Sequence, residues 1–251
     1  MNEKIKISYA ITVKDELEEV IRLLNMLPPK IQQDDEILIQ YDEDGVTDEV
    51  MDFLNVFEQM HKNAKVVSFP LNKDFGTFKS NLSKEASGDY IFQLDADEIP
   101  HEFLLEYLPQ LLHENDEVDM FFVPRVNTVD DITQRHIDMW NWSVRTFEDL
   151  TNSKEIDQKS DEYKFLESNN YILAESVEND EIEYLVPIIN FPDYQTRIYK
   201  NTDEVKWIGK VHESITGYST FSSLPAERRF CINHPKGIER QEKQNEFYET
   251  I

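Results

Sequence analysis

The segment YIFQLDADEIP, residues 90–100, runs from an apolar stretch into a cluster of carboxylates. Asp95 and Asp97 stand one residue apart where the apolar stretch ends, and Glu98 follows directly. In open α/β sheets, ligands bind beyond the carboxyl ends of the parallel strands. Carboxylate oxygens at that edge suit Mg²⁺ or Mn²⁺, and such an ion usually arrives with a phosphate group. The segment therefore predicts a buried parallel strand that ends in a site for a metal and a phosphate.

An Asp-x-Asp triplet is weak evidence by itself in so acidic a chain. The sequence has 51 aspartates and glutamates, and Asp42 and Asp44 form a second triplet. Both triplets follow a predicted strand, which is the position that favours a ligand site. A solvated acidic turn is the alternative interpretation of Asp95 and Asp97.

Strand and helix patterns alternate on both sides of this segment through the first 125 residues. Apolar residues at a period of two, or in short runs, predict strands at 5–13, 36–41, 64–69, 90–94 and 120–123. Apolar residues at helical spacing predict helices at 17–27, 50–57, 78–86 and 103–112. Strands that alternate with helices indicate an α/β fold, in which a mostly parallel sheet is covered by helices on both faces.

The pattern weakens after residue 125, and we interpret residues 126–189 as an insertion. Residues 132–140 could form a helix. Residues 146–183 contain twelve acidic and only three basic residues, which is typical of a solvated surface. A lid that binds an acceptor is the functional alternative for this acidic part.

The pattern of strand and helix signals returns in residues 190–251. We interpret these residues as a smaller C-terminal, acceptor-side region. Short strands are predicted near 196–199, 205–207 and 230–233, and a polar helix is predicted over 238–248. The whole chain, residues 1–251, is expected to be one domain, with residues 1–125 as the half that binds the main ligand.

The composition argues against several classes of protein. The formal net charge of -26 disfavours nonspecific binding to nucleic acid and adhesion to anionic lipid. Cys231 is the only cysteine, so no internal disulfide and no cysteine zinc cluster can form. No apolar run approaches the roughly 20 residues that cross a bilayer, and the N-terminus lacks the apolar core of a signal peptide. We therefore expect a cytoplasmic protein with no transmembrane segment and no nucleic-acid partner.

Five motifs follow one another in the order and spacing of one known family. They are TVKDE at 12–16, DEDGVTD at 42–48, DFGTFKSN at 74–81, ASGDYIFQLDADE at 86–98, and YQTRIYKN with WIGKVHE at 194–213. The chain resembles the family 2 glycosyltransferases, which have the GT-A nucleotide-sugar-binding fold. The order and spacing of the motifs resemble the branch that adds sugars to bacterial surface glycans such as the lipopolysaccharide core. The resemblance covers residues 4–124 and 190–236, and Glu43 and Val46 depart from the family's usual aspartate and serine.

The resemblance implies that the chain binds a nucleotide-diphosphate sugar with uridine as the nucleoside. The residues that it implies for this binding are Thr12, Glu16, Asp42, Asp44, Lys79, Asp95 and Arg197. An Asp-Gly turn without a ligand is the alternative for the second triplet. A structural ion pair is the alternative for Arg197.

The resemblance also implies a divalent cation, Mn²⁺ or Mg²⁺, as the cofactor. Asp95, Asp97 and His212 are its expected ligands, and His234 is a weaker candidate for the histidine. A histidine in the sequence Val-His-Glu is more often structural, which is the alternative interpretation of His212.

Family 2 enzymes invert the anomeric centre, so the resemblance implies that an acceptor hydroxyl attacks opposite the leaving diphosphate. A carboxylate must then take the proton of that hydroxyl. Asp193 is the first candidate for this base and Glu213 is the second. Alternatively, Asp193 caps a turn after Pro192, and Glu213 orients His212.

The sequence therefore predicts a metal-dependent, inverting glycosyltransferase of the hexosyltransferase type, which passes a sugar to a hydroxyl acceptor such as a glycan. A nucleotidyltransferase that makes a sugar nucleotide is a second interpretation. Such enzymes usually have a glycine-rich loop after the first strand, whereas residues 13–16 contain no glycine. A non-catalytic module that binds a nucleotide sugar is the third.

Overall fold

The computed structural model describes residues 4–145 and 188–248. The strands in these ranges are β1 (Ile7–Val13), β2 (Glu36–Asp42), β3 (Ala64–Phe69), β4 (Tyr90–Asp95), β5 (Ile99–Pro100), β6 (Met120–Asp130), β7 (Val144–Arg145), β8 (Ile188–Lys200), β9 (Lys206–Ile208), β10 (Ser214–Thr216), β11 (Phe221–Ser223) and β12 (Ile232–Gly237). The helices are α1 (Leu17–Met26), α2 (Asp48–Met60), α3 (Phe75–Glu85), α4 (Glu102–Glu114), α5 (Gln134–Trp140) and α6 (Ile238–Tyr248), with a 3-10 turn at Arg228–Phe230.

The main sheet has the strand order β3-β2-β1-β4-β8-β6-β12-β5. Strands β1 to β4 are mutually parallel where they pair, whereas β8 lies between β4 and β6 and runs antiparallel to both. Thr12 in β1 pairs with Gln40 in β2 and with Asp95 in β4. The ends of these three strands therefore meet at one edge of the sheet, and this edge carries both Asp-x-Asp triplets.

Apolar side chains cover both faces of the sheet. On one face, Tyr9 and Ile11 of β1 pack in a cluster with the buried leucines of α1 and α4. On the other face, Ala10 packs with Leu82 of α3 and with Trp207. Because side chains alternate along a strand, β1 contributes to two separate cores and must be buried on both sides. The predicted α/β fold, with a central sheet between helices, is confirmed.

Strands β6 and β8 are longer than the sequence pattern predicts. They pair from Met120 with Tyr199 to Thr128 with Ile188. Polar residues in this region remain extended because each strand supplies the other with backbone hydrogen bonds, so a weak apolar pattern does not end them. Both strands extend into the region interpreted as an insertion, and the acidic part over 146–183 lies outside the described residues.

Three other elements compare directly with the sequence pattern. The helices expected near 132–140 and over 238–248 are present as α5 and α6. Pro109 lies inside α4, which continues from Glu102 to Glu114. Among the described residues, no helix is long and apolar enough to cross a membrane.

Gly88 lies where the chain returns from α3 to the sheet. A glycine just after the helix predicted at 78–86 is a plausible helix cap, but Gly88 does not form one. Helix α3 ends at Glu85, with Ala86 as its cap. The Gly88 N–H donates to Ser8 Oγ at 2.8 Å. A Cβ built on Gly88 would lie 2.6 Å from the Ser8 nitrogen and 2.9 Å from the Ile7 carbonyl carbon. A glycine is therefore needed because the chain passes directly against the backbone of β1.

We predict that Gly88→Ala lowers the free energy of unfolding by about 1–3 kcal/mol, because the added methyl group must push two backbone segments apart. Urea unfolding followed by circular dichroism measures this loss. Gly237→Ala is the control, since a Cβ there meets nothing within 4 Å. Equal losses in both variants would contradict the explanation by contact with β1.

Candidate active site

A cleft of about 1430 Å³ opens at the edge of the sheet where β1, β2 and β4 end. Eleven of the residues selected from the sequence line it: Thr12, Glu16, Asp42, Lys79, Asp95, Asp97, Asp193, Arg197, His212, Glu213 and His234. Asp44 is exposed and is not part of the lining, because the turn that follows β2 carries it away from the cleft. Asp42 is buried, and its Oδ1 accepts hydrogen bonds from the N–H groups of Leu71 and Asp44. Asp42 is thus the member of the second triplet that can meet a ligand.

Asp95 is held from three directions at the end of β4. Thr12 Oγ1 donates to its Oδ1 at 2.7 Å, and Lys79 Nζ lies 3.0 Å from the same oxygen. Arg197 Nη2 donates to Oδ2 at 3.0 Å. Burial alone would raise the pKa of Asp95, but the charges of Lys79 and Arg197 outweigh burial and hold this pKa well below its ordinary value. Asp95 is therefore an ionised carboxylate whose two oxygens both have protein partners.

Glu98 joins three segments of the chain beneath the cleft. Its side chain is completely buried, and its Oε1 accepts from Arg125 Nη1 at 2.9 Å and from Arg197 Nη2 at 2.6 Å. Its Oε2 accepts from the Asp95 N–H at 3.1 Å. Burial raises the pKa of Glu98, but Arg197 and Arg125 more than offset burial, and the pKa is lowered. The turn after β4 is thus attached to β6 and β8 through one carboxylate.

Asp193, in β8, accepts four hydrogen bonds. Arg125 Nε and Nη2 donate to its Oδ2 at 2.9 and 2.8 Å, and Asn127 Nδ2 donates to the same oxygen at 2.8 Å. Gln195 Nε2 donates to Oδ1 at 2.7 Å. Burial raises the pKa of Asp193, but Arg125 and the amide donors leave it below its ordinary value. A carboxylate held in this way stays ionised and is a weak base.

Glu213 lies in the loop between β9 and β10 and contacts α3. Lys79 Nζ donates to Glu213 Oε1 at 2.7 Å. The Lys79 ammonium group also lies 5.1 Å from the centre of the Trp207 ring. Burial lowers the pKa of Lys79, but the charges of Asp95 and Glu213 more than offset burial. The pKa of Lys79 is therefore raised, and Lys79 is charged. Lys79 therefore connects Glu213 to Asp95.

Asn127 links Asp193 to His234. Because the Asn127 amide nitrogen donates to Asp193, its carbonyl oxygen faces His234 Nδ1, at 2.7 Å. Nδ1 must therefore carry a hydrogen, and in the neutral ring Nε2 has the lone pair. Nε2 lies 3.4 Å from Asp97 Oδ2. A lone pair and a carboxylate oxygen thus face each other, which is an arrangement that favours a cation between them.

His212 has a different environment from His234. It is exposed, has a positive φ of 52°, and packs its ring edge-to-face against Tyr248 with the ring centres 5.8 Å apart. It lines the same cleft as Asp95 and Asp97. Nevertheless, no group of three histidine, cysteine, aspartate or glutamate side chains within residues 4–145 and 188–248 is close enough to hold a metal ion.

Helix α6 closes one side of the cleft. Arg240 Nη2 donates to Glu16 Oε1 at 2.8 Å, and Arg240 Nη1 donates to Glu19 Oε1 at 2.7 Å. Arg240 Nη2 also lies 3.6 Å from Asp97 Oδ2. Glu16 Oε2 accepts from the backbone N–H groups of Lys14 and Asp15, so Glu16 shapes the turn after β1 as well as pairing with Arg240.

Comparison with known families assigns the chain to one of them. A family model described as "Glycosyl transferase family 2" matches residues 8–166, which is more than half of the chain. The chain belongs to glycosyl transferase family 2. Its sheet, with β8 inserted antiparallel between β4 and β6, is the GT-A sheet expected of a member. A comparison with curated proteins found no match.

Several solved structures are similar to this family 2 chain at low identity. TarS from S. aureus, in complex with UDP-GlcNAc, is 17% identical, with 51% of this chain and 36% of that chain covered and a TM-score of 0.44. The mannosyltransferase PcManGT from Pyrobaculum calidifontis, in complex with GDP-Man and Mn²⁺, is 12% identical, with coverages of 49% and 36% and a TM-score of 0.41. Glucosyl-3-phosphoglycerate synthase from Mycobacterium tuberculosis is 18% identical, with coverages of 51% and 45% and a TM-score of 0.38. The match thus spans less than half of each of these longer proteins.

The GT-A family implies a divalent cation, and part of the expected ligand set fits one. Asp97 and His234 supply a carboxylate oxygen and an imidazole nitrogen, which are ligands that Mn²⁺ accepts. The hydrogen bond from Nδ1 to Asn127 orients the imidazole in the way that metal-binding histidines are commonly oriented. Asp95 lies next to this pair but is already bound by Lys79 and Arg197. The residues therefore fit a cation centred on Asp97 and His234.

Several residues of the site were not selected from the sequence. Glu98, Arg125 and Asn127 carry the network below the cleft, and Lys236 and Arg240 line its C-terminal side. Glu98 follows the Asp-x-Asp triplet directly, which is the one sequence signal that could have indicated it. The others are single polar residues at strand ends or on a polar helix, and nothing in their local pattern distinguishes them from solvated residues.

We predict that Glu98→Ala lowers the free energy of unfolding by about 3–5 kcal/mol, because it leaves two buried guanidinium groups without their shared partner. Urea unfolding measures the loss. Glu102→Ala is the matched control, since Glu102 is exposed and pairs with Lys30 at the surface, where little change is expected. A small loss for Glu98→Ala would mean that water replaces the carboxylate and that the network is not essential for stability.

Proposed function

We propose that this chain is a metal-dependent, inverting glycosyltransferase that moves a sugar from a uridine-diphosphate sugar to a hydroxyl group of a glycan acceptor. Membership of family 2 supports the general class of enzyme. The single observation that carries the proposal is that carboxylates from β2, β4 and β8 line the same cleft together with His212 and His234. A nucleotide, a diphosphate with its cation, and an acceptor need groups of these kinds in one continuous space.

The donor is proposed to bind with its nucleoside at the end of β1 and β2. Asp42 is buried in the wall of the cleft there, beside Leu71 and the turn that Glu16 shapes. A buried carboxylate at this place can accept a hydrogen bond from a base N–H or a ribose hydroxyl. Thr12, which donates to Asp95, keeps the nucleoside side of the cleft aligned with the diphosphate side.

The cation is proposed to bind to Asp97 and His234, next to Asp95. A bound Mn²⁺ or Mg²⁺ would neutralise the charge that develops on the leaving diphosphate. Asp95 orders the residues around this place, because it attaches Lys79 and Arg197 to the end of β4. His212, on the exposed side of the cleft, is not needed as a ligand in this proposal.

The general base is proposed to be Glu213. Asp193 and Glu213 were both candidates, and they differ in their partners. Asp193 accepts hydrogen bonds from three side chains and has a lowered pKa, so it binds a proton weakly. Glu213 contacts Lys79 through Oε1 and lies at the cleft. We therefore assign the proton transfer to Glu213 and the orientation of the acceptor side to Asp193.

The proposed function is tested by incubating the protein with Mn²⁺, a panel of sugar nucleotides and glycan acceptors. We expect release of a nucleoside diphosphate, with Glu213→Gln lowering kcat by about 10²–10⁴-fold while the donor still binds. Release of pyrophosphate instead would indicate a nucleotidyltransferase. Binding with no turnover would indicate a non-catalytic module. If Asp193→Asn, and not Glu213→Gln, gives the large loss in kcat at unchanged donor affinity, the assignment of the base is wrong.

We also predict that His234→Ala weakens Mn²⁺ binding at least about 10-fold, whereas His212→Ala changes it less than about 2-fold, because only His234 contacts Asp97. Titration of Mn²⁺ by electron paramagnetic resonance measures both affinities directly, without turnover. Thermal unfolding of each variant serves as the control for folding. The reverse order of the two effects would restore His212 as the metal ligand.

A further inference from the structure

The cleft has a higher proportion of basic to acidic residues than the rest of the protein. Seven of the 25 basic residues line it, together with ten of the 51 acidic residues. A chain of formal net charge -26 repels anions in general, so an anion is expected to bind where basic residues are concentrated. Which of the seven bind the anion depends on the partners that each already has.

Three of these cations form ion pairs with carboxylates of the protein itself. Lys79 is bound to Asp95 and Glu213, and its side chain is 3% exposed. Arg197 is bound to Asp95 and Glu98, and its side chain is 4% exposed. Arg125 is similarly shared between Glu98 and Asp193. Lys79 and Arg197 are themselves buried, and each of the three cations already pairs with two carboxylates of the protein, so they support the site and do not carry the ligand.

The junction of β12 and α6 presents two cations of a different kind. Lys236, the penultimate residue of β12, donates through Nζ to Gln244 Oε1 at 2.6 Å, and this partner is a neutral amide. Arg240, in the first turn of α6, has a side chain that is 35% exposed. Its partners Glu16 and Glu19 are 20% and 31% exposed. Arg240 is more exposed than Lys79 and Arg197, so a phosphate oxygen can replace a carboxylate oxygen at a lower cost there than at those two cations.

From this arrangement we infer that Lys236 and Arg240 are the residues that bind the diphosphate of the donor, in place of Lys79 and Arg197. The inference rests on the proposed function, because it presupposes a nucleotide-diphosphate donor in this cleft. Arg240 lies beside Asp97, with 3.6 Å between Nη2 and Oδ2, so an anion bound by Arg240 adjoins the carboxylate proposed to hold the cation. The planar fork of an arginine suits two phosphate oxygens, and a lysine adds a compact point charge.

Helix α6 would take part in binding through the same contacts. None of its residues is buried, and its C-terminal Tyr248 packs against Phe75 and His212 across the cleft. Gln244, the partner of Lys236, lies on the same helix. An anion held between Lys236 and Arg240 therefore connects the helix to the sheet, and we expect α6 to become more resistant to proteolysis when the diphosphate binds.

The test measures the affinity of the full chain for pyrophosphate and for UDP by isothermal titration calorimetry with Mn²⁺ present. Pyrophosphate serves as a probe that does not depend on the base. We expect Lys236→Gln and Arg240→Gln each to weaken both ligands roughly 10-fold or more, as the loss of a charged hydrogen bond predicts. Lys84→Gln, which removes the same charge from an exposed position of α3 that does not line the cleft, should change both affinities less than about 2-fold.

Lys236→Arg retains the charge and should recover most of the affinity, which separates ligand binding from a structural role. Wild-type affinity in Lys236→Gln and Arg240→Gln overturns the inference, and so does an equal loss in Lys84→Gln, which would reflect general charge alone. Tighter binding in the variants also overturns it, because α6 would then compete with the donor. If the wild-type chain binds neither probe, the proposed function itself fails. Binding by the wild type with unaffected variants refutes only the assignment of these two residues.

Discussion

The candidate site depends on one buried carboxylate, Glu98, which two arginines and a backbone N–H share. Glu98 lies at 0% exposure and accepts from Arg125, Arg197 and the Asp95 N–H. A buried carboxylate is expensive unless its charge and its lone pairs are satisfied, and here both conditions are met. The turn that carries the Asp-x-Asp triplet is therefore attached to β6 and β8, on the far side of the cleft from β1 and β2.

Further ion pairs connect Glu98 to residues in both halves of the cleft. Arg197 forms ion pairs with both Glu98 and Asp95. Lys79 forms ion pairs with both Asp95 and Glu213. Arg125 forms ion pairs with both Glu98 and Asp193. Asn127 is hydrogen-bonded to both Asp193 and His234. Alternating charges thus connect the proposed donor side of the cleft to the proposed acceptor side in one network. Charges held in this way are oriented before any ligand arrives, which is the condition under which electrostatic stabilisation of a transition state is most effective.

The α/β fold and the edge of the sheet that carries the site could be predicted from the sequence, because both follow from local periodicity. Apolar alternation indicated β1, and the apolar run before Asp95 indicated β4. The lengths of β6 and β8 could not be predicted, because their polar residues are extended only through pairing with each other. The role of Gly88 could not be predicted either. A glycine is needed there because the chain contacts the backbone of β1, and this contact is not visible in the local sequence.

The sequence by itself determined that carboxylates collect at the ends of β2 and β4, since strand order in the chain and the position of each triplet are local properties. Only the tertiary structure decided which groups share a space: Asp42 but not Asp44 lines the cleft, and His234 but not His212 contacts Asp97. It also decided that Lys79 and Arg197 are buried and bound by carboxylates, whereas Lys236 is bound by a neutral amide and Arg240 is partly exposed. The physical reason is that charge pairing and burial depend on distances between segments far apart in the chain, and such distances are set by packing.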